Sequence, residues 1–188
     1  TLYAPVANST SVAETAMLLM LECSRNVIEL RKIWVQDYYK AKLKTRKTTV
    51  NGKTVGIIGC GNIGSRLAVR ALGMEMNVLA YDPYKKADEF PEGVEVVRDL
   101  DRIFKESDYV SLHVPNTPIT RGMVNKERLE MMKPTAFLIN TARGGCVVEQ
   151  DLYEACKNKT IAGAGLDAIQ KEPVDPANPL LTLDNVII

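Results

Sequence analysis

The residues of this chain whose types and spacing can do chemistry fall in a few short stretches. In "GCGNIG", Gly59, Gly61 and Gly64 form a G-x-G-x-x-G. At a strand-to-helix turn these glycines have separate duties: Gly59 makes the tight turn, Gly61 lets the backbone approach a pyrophosphate, and Gly64 lets helix and strand pack closely. The helix that follows turns its free N–H groups toward the phosphates. Alone the pattern is weak, because glycine-rich turns are common. A second stretch, "LAYDP", ends a β-rich run on Asp82, 18 residues past Gly64. A carboxylate there can hydrogen-bond both ribose hydroxyls of an adenosine and repels a 2′-phosphate, so NAD is expected over NADP. Lys85 and Lys86, just beyond, can soften that preference. A third stretch, "NTARGG", offers Arg143. A guanidinium over the nicotinamide end of a dinucleotide can grip a carboxylate in bidentate fashion and point a donor at a carbonyl to be reduced. The alternative is an arginine that caps a strand end or pairs with a surface acid. In "LDAIQKEP", Asp167 and Glu172 end another strand and continue into a loop, where either can equally be a plain loop acid.

These residues need elements to position them. Strands are predicted at 54–58, 77–81, 94–97, 109–114, 136–140, 162–166 and 186–188, and helices at 63–72, 100–106, 126–132 and 150–157. Strands that alternate with helices call for an α/β fold, a Rossmann-type doubly wound parallel sheet with helices on both faces. In such a sheet ligands sit outside the carboxyl ends of the strands, where the glycine turn, Asp82 and Arg143 all fall. Ahead of this pattern, Val12, Ala16, Leu19, Met20, Cys23, Val27 and Leu30 recur at helical spacing, and Ser11 with Glu14 fits a capping box. One long amphipathic helix over about 11–38 is predicted, its apolar face packed on its own core or on a neighbouring domain or subunit.

Composition narrows the classes of function. The 188 residues are 46% hydrophobic and 25% charged, the profile of one soluble globular domain. Lys and Arg number 24 against 23 Asp and Glu, a net charge of +1 that argues for no nucleic-acid partner. The local excess of Lys40, Lys42, Lys44, Arg46 and Lys47 reads as a solvated connection, since no aromatic residues interleave with it as base stacking requires. Cys23, Cys60, Cys146 and Cys156 form no CxxC, and the single histidine, His113, is far from them in sequence. No metal site is expected, and a reducing, cytoplasmic setting is. The longest apolar run, 16–21, is too short to span a bilayer, so no membrane role is expected.

Read in order, "ANSTSVAE", "NGKTVGIIGCGNIG", "VLAYDPY", "SLHVPNTPITRGMVN", "MKPTAFLINTARGG", "IAGAGLDAIQKEP" and "PLLTLDNVII" resemble the consecutive signatures of the NAD-dependent D-2-hydroxyacid dehydrogenases, over nearly the whole chain. The phosphoglycerate and hydroxypyruvate branch is the nearer resemblance. It implies that Arg143 binds the substrate carboxylate and polarises the carbonyl. It implies that Glu172 hydrogen-bonds a catalytic histidine and raises its pKa, so that an imidazolium donates the proton in reduction. Asp167 is implied beside the nicotinamide carboxamide, and Asn62, Ile63, Asp82, Val114, Pro115, Thr141 and Ala142 are implied to line the dinucleotide. His113 matches the histidine of the family's HxP segment, by the cofactor and not the proton carrier.

The resemblance also bears on organisation. In the family a short Pro-His segment carrying the catalytic histidine follows the words "LDNVII", on which this sequence ends. Residues 1–188 are therefore expected to be one NAD-binding domain with its interdomain helix, without the substrate domain and, taken alone, inactive in proton-coupled hydride transfer. The family's habit of dimerising through this domain implies a homodimer. Three departures stand out: Val6 where a glycine is usual, Val148 where an aspartate commonly caps the next helix, and Ile169 at a place often aromatic. A rival of another class is an NADH-responsive dimerisation module like the corepressors that resemble these enzymes. The NAD domain of adenosylhomocysteine hydrolases fits less well, because "NTARGG" and "KEP" at this spacing point to the hydroxyacid family.

Overall fold

A computed structural model of the chain describes residues 8–36, 39 and 48–188. Two helices, α1 (Ser9–Arg25) and α2 (Val27–Gln36), precede an alternating series. It runs β1 (Thr54–Ile58), α3 (Asn62–Gly73), β2 (Asn77–Tyr81), β3 (Glu95–Val96), α4 (Leu100–Glu106), β4 (Tyr109–Leu112), α5 (Lys126–Met131), β5 (Phe137–Asn140), α6 (Glu149–Lys157), β6 (Gly163–Leu166) and β7 (Val186–Ile187). Every predicted strand and helix of this series forms, with ends that move by one or two residues.

The seven strands make one sheet in the order β3-β2-β1-β4-β5-β6-β7, each pair parallel. The fully buried pattern of β4, "YVSL", and β6, "GAGL", follows from cover on both faces. On one face, Ala16, Leu19 and Met20 of α1 and Leu67, Ala68 and Ala71 of α3 pack on Val55, Ile57, Val78 and Ile139. On the other, Ile103 and Phe104 of α4, Leu129 of α5 and Leu152 and Cys156 of α6 pack on Ile58, Val110, Leu112, Leu138 and Leu166. Neighbouring residues such as Ile57 and Ile58 thus enter opposite cores, as the period of two dictates. Strand order reverses between β1 and β4, which opens a crevice at their carboxyl ends.

The N-terminal helix departs from expectation in two ways. It does not run unbroken: Asn26 takes a left-handed conformation, φ 51° and ψ 49°, and its N–H closes on the carbonyls of Cys23 and Glu22. Asparagine is among the few non-glycine residues that tolerate this geometry, so a pattern periodic on both sides still breaks there. Past the break Val27 is 44% exposed, no longer on the apolar stripe. The capping box does not form either. The helix begins at Ser9, the Ser11 hydroxyl donates to the Asn8 carbonyl (2.9 Å), and Glu14 instead pairs with Arg70 of α3 at 3.1 Å. Because the helix starts two residues before the predicted cap, Ser11 falls inside the first turn. The basic segment 40–47, residues 37 and 38 at the predicted helix end, and Val6 lie outside the described residues. Among the described residues no helix is long and apolar enough to cross a membrane.

Candidate functional site

The crevice between β1 and β4 is built by glycines. Gly59 follows β1 with φ +90°, and its N–H donates to the Tyr81 carbonyl at 2.8 Å. A Cβ on Gly59 would lie 2.7 Å from the His113 carbonyl oxygen and 2.8 Å from Val114 Cγ1, so the glycine turn is pressed against the chain leaving β4. A Cβ on Gly64 would lie 2.1 Å from the Gly59 carbonyl oxygen, which brings α3 down onto the turn. Gly61 differs: a Cβ there would meet nothing within 4 Å. Gly61 caps α3, and Ser65 N–H is the one that returns to its carbonyl, at 3.0 Å. The N–H groups of Asn62, Ile63 and Gly64, at the first turn, therefore have no acceptor within the helix. Open space beside a cluster of free donors is the arrangement an anionic diphosphate requires.

Asp82, at the end of β2, is tied into this turn. One carboxylate oxygen accepts from Cys60 N–H at 3.0 Å and the other from Tyr84 N–H at 3.0 Å. Each oxygen keeps a lone-pair direction for a hydroxyl. Lys85 turns onto the same loop: its Nζ donates to the Cys60 carbonyl at 2.9 Å and stands 5.3 Å from the centre of the Phe90 ring. Arg98 donates to the carbonyls of Asp82 and Lys85 at 3.3 and 3.1 Å. The cations expected to soften the cofactor preference are in part engaged in holding the loop.

Among the described residues, two polar atoms in this region are buried with no partner: His113 Nδ1 and Thr141 Oγ1. The other ring nitrogen, Nε2, lies 2.9 Å from the Ser111 hydroxyl. Burial pushes the His113 imidazole down to about 4, so the ring is neutral near pH 7 and is no proton reservoir there. Cys60, in the glycine turn, and Cys146, beyond Arg143, are buried, and burial raises both thiols above the ordinary value. Neither is a poised nucleophile.

Arg143 stands exposed just past the carboxyl end of β5, in extended backbone (φ −147°, ψ 136°), with Nη1 donating to the Ala142 carbonyl at 2.7 Å. The side chain that organises this loop is one that sequence reasoning passed over, Asn140, 1% exposed. Its Nδ2 donates to the carbonyls of Arg143 (3.1 Å) and Ala168 (3.3 Å), and its Oδ1 accepts from Ala142 N–H at 3.1 Å. Its own carbonyl accepts from Asp167 N–H at 2.9 Å and Ala168 N–H at 3.3 Å. The signal was visible in "FLIN", an asparagine that closes a buried apolar strand. Gly144 completes the contact: a Cβ there would sit 1.9 Å from the Ile169 carbonyl atoms, so the arginine loop and the loop after β6 touch backbone to backbone.

Asp167 and Glu172 both lie exposed on that second loop, and Glu172 has no hydrogen-bond or ion-pair partner among the described residues. Ile169 is buried against the arginine loop, and Val148 gives α6 no side-chain cap. Thus Gly59, Gly61, Asn62, Ile63, Gly64, Asp82, His113, Val114 and Pro115 gather around the β1–β4 crevice and its β2 flank. Thr141, Ala142, Arg143, Asp167 and Glu172 follow the neighbouring strand ends β5 and β6.

A parallel sheet of this order with a glycine turn at its switch point defines a Rossmann-type dinucleotide-binding domain. The family model described as D-isomer specific 2-hydroxyacid dehydrogenase, NAD binding domain, matches residues 17–188. The chain is 43% identical over 186 residues to a D-3-phosphoglycerate dehydrogenase of Methanocaldococcus jannaschii, with 98% of this chain and 35% of that protein covered. It is 44% identical over 185 residues to a hydroxypyruvate reductase of Thermotoga maritima, with 97% of this chain and 59% of that protein covered. The NAD-complexed crystal structure of a D-isomer specific 2-hydroxyacid dehydrogenase from Lactobacillus delbrueckii ssp. bulgaricus superposes with a TM-score of 0.88 at 31% identity, over 98% of this chain and 60% of that one. The chain belongs to the D-isomer specific 2-hydroxyacid dehydrogenase family and carries its NAD-binding domain. It spans between about a third and three-fifths of the length of these relatives.

Proposed function

We propose that this chain is the NAD(H) half of an oxidoreductase that interconverts a 2-oxo acid and a D-2-hydroxy acid, with 3-phosphoglycerate or hydroxypyruvate as the nearest substrate classes. The observation that carries the proposal is Arg143, exposed at the end of β5 on a loop that buried Asn140 holds rigid. When bound, NAD supplies the hydride acceptor or donor at its nicotinamide. The first-turn N–H groups of Asn62, Ile63 and Gly64 bind the diphosphate, beside the open face of Gly61, and Gly59 sets their direction. Asp82 takes the adenosine ribose hydroxyls.

Val114, Pro115 and Ala142 line the dinucleotide, and the unpartnered His113 Nδ1 and Thr141 Oγ1 find hydrogen bonds toward it. Asp167 serves the carboxamide. Arg143 grips the substrate carboxylate and polarises the neighbouring carbonyl, an interaction that strengthens as charge develops on that oxygen. Glu172 orients and raises the pKa of a histidine outside these residues, which moves the proton.

Residues 1–188 then form one cofactor domain, paired in a cytoplasmic homodimer, with a small acid as its substrate and no nucleic acid as partner. The test uses the longest protein product that contains these residues, screened with NADH against a panel of 2-oxo acids. Turnover of at least one acid is expected, and Arg143→Lys should reduce it by about 10²-fold while NADH binding is kept. NADH binding without turnover of any 2-oxo acid would refute the dehydrogenase reading.

A further inference from the structure

Twelve residues, 167–178, follow β6 before the next turn, and most of them are exposed. Their first part is tied down by Asn140 and by Ile169 packed on Gly144. The later part, 171–177, carries Glu172 and hydrogen-bonds only to itself and its flank among the described residues. Its bonds are an exposed Lys171–Asp175 pair at 3.3 Å and turns in which Asp175 accepts from Ala177 N–H (3.0 Å) and Asn178 N–H (2.8 Å). An exposed pair of that kind fixes little.

What closes the segment is one side chain on another element. Glu149, the first residue of α6, accepts from Gln170 N–H at 3.0 Å on Oε2 and from Asn178 Nδ2 at 2.6 Å on Oε1. Asn178 is 9% exposed and locked in turn by Leu180 N–H, which donates to its Oδ1 at 2.9 Å. A single carboxylate therefore joins both ends of the excursion, with charge-assisted bonds that outweigh neutral ones. Joining the ends removes much of the chain entropy of the residues between them. α6 itself leaves the arginine loop through residues 144–148, so Glu149 references the Glu172 segment to Arg143.

We propose that Glu149 is a positioning residue, which clasps Gln170 and Asn178 so that Glu172 is held in register with the arginine loop. The proposal rests on the reading that Arg143 and Glu172 work together, but its first test does not. In the chain as it stands, Glu149→Ala should speed exchange of the hydrogen-bonded amides of Gln170, Ala177 and Asn178 by about tenfold or more, with exchange in β4 and β5 and the NADH affinity unchanged. Glu149→Gln keeps one acceptor and should restore part of the protection. Unchanged exchange at the Ala177 and Asn178 amides in Glu149→Ala would overturn the clasp.

The second test uses the active parent protein. There Glu149→Ala should lower kcat about tenfold, keep KM for NADH, and move the alkaline limb of reduction down by about one pH unit, as a looser Glu172 raises its histidine less. Faster exchange with an unmoved pH limb would overturn the positioning role. Absence of any turnover would refute the function proposed above, while the exchange result still decides the clasp.

Discussion

Gly61 and Gly64 stand three residues apart in one motif, yet the structure assigns them opposite sensitivities. An alanine at 64 would put its Cβ 2.1 Å from the Gly59 carbonyl oxygen and 3.1 Å from Ile57 Cγ2. The first of these is backbone that holds the turn, so helix and strand must part by about an ångström. Overpacking a rigid contact of this kind costs about 3 kcal/mol, the top of the usual range. For a domain of this size that lowers the melting temperature by about 6–12 °C.

An alanine at 61 meets no atom within 4 Å, and φ there is −74°. Its fold should be intact, with melting within about 2 °C of the unmodified chain. The methyl would instead fill the space beside the free N–H groups, and NADH affinity should fall about 10²-fold, equivalent to about 2.7 kcal/mol. Thermal melts and NADH fluorescence titrations of the two variants make the comparison. Gly61→Ala that binds NADH like the unmodified chain would refute the assignment of this turn to the diphosphate. Gly61→Ala that melts like Gly64→Ala would refute the packing argument.

Other perturbations follow from the same geometry. The unmodified chain should bind NADH more tightly than NADPH, and Asp82→Ala should narrow the gap by titration; equal affinities at the outset would contradict the role given to Asp82. His113 has its pKa lowered by burial to about 4, so the unfolded chain binds the extra proton first as pH falls. Its effect is absent above the ordinary imidazole value near 6.5 and grows between there and about 4. Stability should drop by about 2 kcal/mol from this group between pH 7 and pH 5, as read by urea unfolding, and His113→Gln should remove that part of the slope. Asn140→Ala leaves Ala142 N–H and the Arg143 and Ala168 carbonyls without their partner. It should cost about 2–4 kcal/mol and weaken NADH binding, whereas a loss below about 0.5 kcal/mol in denaturant titration would show that the two loops are held otherwise.

How much of this was legible beforehand depends on the range of each interaction. Runs such as "TVGII" and "NVLAY" are strands because β-branched and apolar residues sit between turn formers, a signal contained in a few neighbouring residues. The glycine turn and Asp82 were legible for the same reason, since their spacing is the geometry of one strand-turn-helix-strand unit. The break at Asn26 was not, because the apolar period continues on both sides and one residue's left-handed conformation interrupts it. The capping box at Ser11 failed because the helix begins two residues earlier, at Ser9, which puts Ser11 inside its first turn; Glu14 reaches Arg70, 56 residues away, instead.

The amino-acid sequence by itself determined the strands and the helices of the alternating series, since these rest on period, turn chemistry and residue type. Tertiary structure alone decided how the site is held. Asn140 reaches Ala168 across 28 positions and Glu149 reaches Asn178 across 29. Such pairs meet only once β5 and β6 lie side by side in the sheet. No local pattern encodes that adjacency, because it is the summed burial of two opposite cores that brings these loops together.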